Sequence, residues 1–385
     1  MKKIIGIVAI VATLATSVFA DGVTVGAWGR GLWSPVGSDG KNTVTGQGIS
    51  WAATGTPRVG FTVAGSTENV GFQVDITGEN AGTGDNQFIW VKPFSMLKVE
   101  IGKMSDDTLR GNACFGTFDW LRMGFGWKGE DATFSRLGTS DGSFSGSQLS
   151  GAIVMLDPIE GLHIAAGFDV ADSAVKAEDV YKHSATYQAG YTIKDIGTVK
   201  AQLIAKPQGT DKDSKAVDFS IINAAFDLVA VKNLFVSVGA FIPTATVYNG
   251  GTAQVSPTTI NLYGRYGMSA LTLHVLASIK STKLLDGADE TSKMAYAFGA
   301  GANYDLGNGL GIVADVRYED KIYRNNADSG KDDITFLAGV EKGFSNGKIG
   351  LGFQGGTNGI GPYTSSDTEA DAFTWAIPVK VEYWF

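Results

Sequence analysis

The chain ends Ala372-Phe373-Thr374-Trp375-Ala376-Ile377-Pro378-Val379-Lys380-Val381-Glu382-Tyr383-Trp384-Phe385. In an extended strand successive side chains point to opposite faces. Phe373, Trp375, Ile377, Val379, Val381, Tyr383 and Phe385 therefore share one face, and Thr374, Lys380 and Glu382 the other. So apolar a stripe left bare on a sheet edge in water invites pairing with other chains. It calls for cover, by a protein core or by lipid. Pro378 lacks an N–H and falls on the polar face, where a bulge would accommodate it.

The same period runs upstream. Val70, Phe72, Val74 and Ile76 alternate with Gly71, Gln73, Asp75 and Thr77. Leu162, Ile164, Ala166 and Phe168 alternate with His163, Ala165, Gly167 and Asp169, and Leu310, Ile312, Ala314 and Val316 with Gly311, Val313, Asp315 and Arg317. A soluble sandwich turns such an apolar face inward, and a membrane barrel turns it outward. The connections separate the two readings. Short ones (66–69, 157–161, 194–197, 230–233, 305–309, 345–347) interleave with long polar ones (34–55, 172–179, 207–215, 243–257, 281–292, 320–332, 355–372). One rim thus carries tight turns and the other long loops, the asymmetry of a transmembrane barrel. The expectation is an all-β, antiparallel up-and-down barrel of about 18 strands, within an even range of about 16–20. Residues 103–147 form either one long loop or an extra hairpin.

Composition agrees. Glycine makes up 52 of 385 residues, aromatics 11% and charged residues 18%, against about 25% charged in ordinary domains. Mean hydropathy is +0.04. Beyond the N-terminus no run of about 20 apolar residues exists to form a membrane-spanning helix. Lys2 and Lys3, the apolar stretch 4–15 and the Val18-Phe19-Ala20 site before Asp21 read as a secretory signal peptide over residues 1–20. Residues 21–385 then form a single barrel domain. Without Lys2 and Lys3, 29 basic side chains face 39 acidic ones, a formal charge of -10, which argues against nucleic-acid binding. The single cysteine, Cys114, makes no internal disulfide.

The final strand, closing on Tyr383 and Phe385, resembles the C-terminal strand of bacterial outer-membrane barrel proteins, and the whole pattern resembles bacterial porins. The opening Val23-Thr24-Val25-Gly26-Ala27-Trp28-Gly29-Arg30-Gly31 is similar to the first strand of some spirochaete outer-membrane proteins. The resemblance implies a site in the outer membrane, assembly through the barrel machinery with Tyr383 and Phe385 as its signal, and passive diffusion of small hydrophilic solutes or ions. A homo-trimer is an open arrangement. A surface adhesin or antigen on the same scaffold is the alternative.

Nothing in the sequence calls for catalysis, a cofactor or a metal. His163, His183 and His274 have no metal-ligand spacing. The stretch 124–129 matches G-x-G-x-x-G, but no helical periodicity follows it. His274 and Ser278 share a strand face four residues apart, roughly 14 Å at ~3.4 Å per residue, too far for a direct hydrogen bond in a barrel-wall hydrolase. Alternation places Arg30, Arg58, Lys98, Glu100, His163, Arg265, His274, Asp315, Arg317 and Glu319 on the polar face as pore-lining candidates. Trp28, Tyr263 and Trp384 fall on polar faces too, which leaves a carbohydrate channel open. By similarity to porins, Asp106, Asp107, Arg110 and Arg122 in the 103–147 segment would narrow the pore. Removal of Phe385 is expected to impair assembly, read as loss of the folded protein from the outer-membrane fraction. A wild-type chain that fractionates as a soluble periplasmic monomer contradicts the barrel.

Overall fold

The computed structural model describes residues 22–48, 58–77, 82–104, 149–169, 176–325, 330–359 and 371–385. Its first half holds β1 (Val23–Ser38), β2 (Thr43–Gly48), β3 (Arg58–Ser66), β4 (Val70–Thr77), β5 (Gly82–Phe94), β6 (Leu97–Met104), β7 (Leu149–Ile159), β8 (Leu162–Asp169), the helix α1 (Ala177–His183), β9 (Ala185–Ile193) and β10 (Gly197–Ala205). A small hairpin, β11 (Gly209–Thr210) and β12 (Ala216–Val217), precedes β13 (Ser220–Leu228), β14 (Leu234–Pro243), β15 (Thr258–Met268), β16 (Leu271–Asp286) and β17 (Asp289–Gly307). Then come β18 (Leu310–Glu319), the helix α2 (Lys321–Asn325), β19 (Asp333–Phe344), β20 (Gly347–Gly356) and β21 (Thr374–Trp384).

Each stave pairs antiparallel with the next, and β21 returns to β1 over nine residue pairs, from Trp28 opposite Trp384 to Ser38 opposite Trp375. The other edge of β1 is shared. Its first half pairs with β3, and its second half with β2. The result is a closed antiparallel barrel of 18 strands. The β1–β21 ladder shifts register between Trp33 and Val36, beside Pro35 and Pro378. Two residues without an N–H thus sit together at one bulge, where the ladder asks least of them.

The tight turns lie at the rim that holds the starts of β1, β4 and β6. Asn308 and Gly309 link β17 to β18 with φ of 54° and 73°, the left-handed pair that matches strand twist in a two-residue hairpin. At the other rim two expected loops are partly strand. Residues 34–55 hold the end of β1 and all of β2. Residues 281–292 continue β16 and β17 to a pair between Asp286 and Asp289. This hairpin rises beyond its neighbours and is stitched to the 244–257 loop: Gln254 N–H donates to the Lys283 carbonyl at 2.9 Å, Leu285 N–H to Thr252 at 2.7 Å, and Tyr248 OH to Glu290 at 2.6 Å. β6 and β7 pair directly from Leu97–Leu156 to Met104–Leu149, and the connection between them, with the choice of loop or hairpin for 103–147, lies outside the described residues from 105 to 148.

The two faces divide cleanly. On β18 Leu310, Ile312 and Val316 are exposed outward, whereas Asp315, Arg317 and Glu319 are buried inward. The same alternation exposes Ile222 and Phe226 on β13 and buries Asn223 and Asp227. Aromatics mark both ends of the outer belt: Tyr266, Tyr304 and Phe344 near the tight turns, Tyr296, Phe298 and Phe336 toward the other rim. Tyr296 and Tyr304 are eight residues apart, about 27 Å of strand, of the order of the ~25 Å apolar band of an outer-membrane barrel after tilt. Leu351, exposed in the middle of β20, should then be intolerant of charge. Leu351→Arg is expected to cost about 2–4 kcal/mol in reversible unfolding from lipid. An unchanged stability would place that face away from lipid.

Candidate functional site

The inward face is a continuous polar wall. Its side chains come from every stave because inward positions recur every second residue. Lys98 and Glu100 on β6 pair at 2.5 Å. On β16 His274 is buried and its Nδ1 meets the Tyr263 hydroxyl of β15 at 2.9 Å, with the rings stacked 6.2 Å apart. Arg265 stands opposite His274 in the ladder and over the Phe235 ring at 5.8 Å. Tyr263 and His274 beside it are buried, yet Arg265 itself is exposed on the inward side. Asp315, Arg317 and Glu319 take successive inward positions of β18. Arg30 lies over Trp28 at 5.3 Å and faces Glu382 in register. Arg58 stands opposite Arg30 by backbone register. His163 meets Asp157 at 2.6 Å. Asp106, Asp107, Arg110 and Arg122 lie outside the described residues, as does Cys114.

Several wall groups were not among the pore-lining candidates, although the period pointed to them. Lys200 and Asp227 form an ion pair of 2.5 Å with side chains 8% and 6% exposed, and Ser237 donates to Asp227 at 2.7 Å. An amide ladder crosses β9, β10 and β13: Gln202 donates to Gln188 at 2.6 Å, and Asn223 to Gln202 at 3.1 Å. Asp75 accepts from Thr62 at 2.8 Å and from Asn86 at 2.7 Å. Glu382 holds Lys380 at 3.0 Å and Lys348 at 3.3 Å. Charge buried this deeply is tolerable only when paired and hydrogen-bonded, and these contacts supply that pairing.

The largest feature without a sequence signal is α2. It lies in the connection between β18 and β19, yet it packs on inward-facing residues of β15, β16 and β17. Asp320 starts it, its Oδ1 accepting from the N–H groups of Ile322 at 2.9 Å and Tyr323 at 2.8 Å, the geometry of an N-cap. Ile322 and Tyr323 enter a buried cluster with Tyr263, Leu276, Ala295 and Ala297. The two alanines are fully buried, and their small size admits the Tyr323 ring. Tyr323 donates its hydroxyl to Ser278 Oγ at 2.9 Å. Lys280 lies 4.6 Å from the Tyr323 ring centre and donates to the Tyr323 carbonyl. Burial keeps the Tyr323 phenol protonated far above its ordinary range, and the nearby carboxylates of Glu319 and Asp320 push the same way. The helix α2 is therefore folded against the inner wall of the barrel. His274 and Ser278, the one pair with a thinkable catalytic spacing, bond to Tyr263 and Tyr323 respectively.

No family model and no curated protein matches the chain. Among solved structures, OccK10 of Pseudomonas aeruginosa is similar at 14% identity and a TM-score of 0.55, over 95% of this chain and 99% of that one. OccK2 of the same organism matches at 12% identity and 0.55, over 96% and 99%. The anion-selective porin from Comamonas acidovorans matches at 13% identity and 0.52, over 94% and 99%. End-to-end agreement at such low identity concerns the fold: this chain has the closed-barrel fold of outer-membrane porins.

Proposed function

We propose that this chain is a bacterial outer-membrane porin, exported through removal of residues 1–20, which lets small hydrophilic solutes or ions diffuse passively. The observation that carries the reading is the inversion of the barrel: apolar side chains exposed outward, and charged, hydrogen-bonded side chains lining the interior. A soluble barrel of this size has no use for an apolar exterior, whereas an 18-strand membrane barrel encloses an aqueous lumen. The pathway needs no catalytic group. Selectivity arises from lumen charge and from whatever narrows the bore.

Arg30, Arg58, Lys98, Glu100, Arg265, His274, Asp315, Arg317 and Glu319 are the proposed pore-lining set; Arg265 is exposed to the bore, whereas Glu100, His274, Asp315, Arg317 and Glu319 are buried in the wall and would act on a solute through their field. Much of this charge is neutralised locally, as in Lys98–Glu100 and Lys200–Asp227. The net charge of -10 outside the signal segment then sets the field at the mouth. Screening confines that field to about 8 Å at physiological salt. The lumen arginines oppose it, so the selectivity is a mild cation preference that strengthens as salt is lowered. α2 narrows the bore on the β15–β17 side, and the segment 103–147 is proposed as a second narrowing element.

In planar bilayers the protein is expected to form stable ion-conducting channels whose reversal potential in a salt gradient favours cations slightly. Tyr323→Ala removes the hydroxyl bond to Ser278 and most of the apolar anchor of α2, so single-channel conductance should rise, with Tyr323→Phe close to wild type. Folded protein without conductance contradicts the channel. Clear anion selectivity at low salt would give control of permeation to the lumen arginines instead of the acidic mouth.

A further inference from the structure

The helix α2 is fastened in two different ways. At its root the contacts are those of a hinge. The Asp320 N–H donates to the Tyr296 carbonyl at 3.0 Å, which carries the β17–β18 ladder one residue further. Asp320 Oδ2 accepts from the Tyr296 N–H, while its Oδ1 caps the helix. Asp332, just before β19, accepts from the Lys321 N–H at 3.1 Å and from the Tyr318 hydroxyl at 2.8 Å. Both carboxylates stand at the mouth and hold the start of α2 to the ends of β17, β18 and β19.

Deeper in, the contacts are those of a latch. The helix crosses β17 and lands on β16 and β15, two to three staves from its root, roughly 10–14 Å at ~4.8 Å per strand. There Ile322 and the Tyr323 ring enter the cluster with Ala295 and Ala297, the Tyr323 hydroxyl reaches Ser278 at 2.9 Å, and the Lys280 ammonium donates to the Tyr323 carbonyl. Two apolar side chains and two hydrogen bonds must therefore offset the ordering of a five-residue helix.

The same patch of wall carries a cost in this position. Asn261 of β15 stands opposite Ser278 in the ladder and is 1% exposed, yet neither end of its amide has a hydrogen-bond partner. It is the only buried amide among the described residues with both ends unpaired. The Thr282 hydroxyl, two residues beyond Lys280 on the same face, is fully buried and unpaired as well. A buried amide without a partner is disfavoured against the same amide in water. A few seating contacts and this cost oppose each other on one patch, which is the balance of an element with two positions.

We propose that α2 is a hinged gate, held at the mouth by Asp320 and Asp332 and latched to the wall by Tyr323, and that the bore alternates between a narrowed state and a wide one as the latch engages and lets go. In the wide state the patch around Asn261 opens to the water of the bore. The proposal rests on the channel reading and adds the regulation of that channel.

The test uses the full folded protein in planar bilayers with potassium chloride. Wild type should switch between two conductance levels, and Tyr323→Ala should stay at the upper one. Asn261→Leu removes the unpaired amide at nearly the same volume, so occupancy of the upper level should fall about fivefold or more, with both levels unchanged in size. A single level in wild type, or an occupancy that Asn261→Leu leaves as it was, overturns the gate. A second measurement needs neither that variant nor conduction. In Cys114→Ser protein reconstituted in lipid, spin labels attached through Lys212→Cys and Asn325→Cys should show two distance populations by pulsed electron spin resonance, of which Tyr323→Ala retains one. A single distance that Tyr323→Ala does not change also overturns the gate. Loss of all conductance in folded wild-type protein overturns the channel reading instead, and the distance measurement then decides whether α2 moves.

Discussion

Eighteen staves make a barrel only if the first and last meet in register, and the ladder between β1 and β21 is where that happens. In a bilayer core no water is present to bond a bare strand edge, and each unsatisfied backbone group costs several kcal/mol. Closure removes both edges at once. It also fixes the rest, since the pairing that sets Arg30 opposite Glu382 and Trp33 opposite Val379 decides which residues of both strands point inward. A slip of one residue would turn Lys380 and Glu382 toward lipid and Val379 and Val381 toward water. The bulge at Pro35 and Pro378 absorbs the irregularity at one point and leaves the register of the remaining ladder intact.

With the ladder closed, the interior becomes a problem in polar satisfaction rather than in apolar packing. Most inward side chains with charge or amide groups find partners on the neighbouring stave, as Gln188, Gln202 and Asn223 do in one row. Small apolar islands interrupt the wall where something packs on it. Tyr263, Leu276, Ala295 and Ala297 form one such island, and α2 covers it. Lys280 joins the two kinds of surface, with its stem in the wall and its ammonium on the Tyr323 carbonyl.

The sequence was most informative where one physical rule acted alone. Period two assigned the inward positions of Asp315, Arg317 and Glu319, and the closing strand carried the barrel reading, because neither depends on distant contacts. The rule fell short where tertiary contacts decide. Residues 281–292 read as a loop because Lys283, Asp286, Asp289 and Glu290 make them polar, yet β16 and β17 continue through them, held by their mutual ladder and by the 244–257 loop. α2 left no trace because five residues give too little helical period to detect. What holds it is Tyr323 in a pocket lined by β15–β17, more than forty residues away in sequence from Ser278 and Lys280. The closeness of Gly71 to Trp90 and of Gly60 to Trp28 needed the register, since only the ladder sets each glycine opposite its indole.

The central claim is the inverted barrel, apolar outside and polar inside, and it is open to direct measurement along β18. A spin label placed in turn at each position of Leu310–Glu319 in reconstituted protein reports contact with lipid-soluble oxygen and with a water-soluble nickel chelate. Oxygen access should peak at 310, 312, 314 and 316 and fall at 311, 313, 315 and 317, a period of two in phase with the outward face. Oxygen access in the opposite phase, or without that period, would contradict the account.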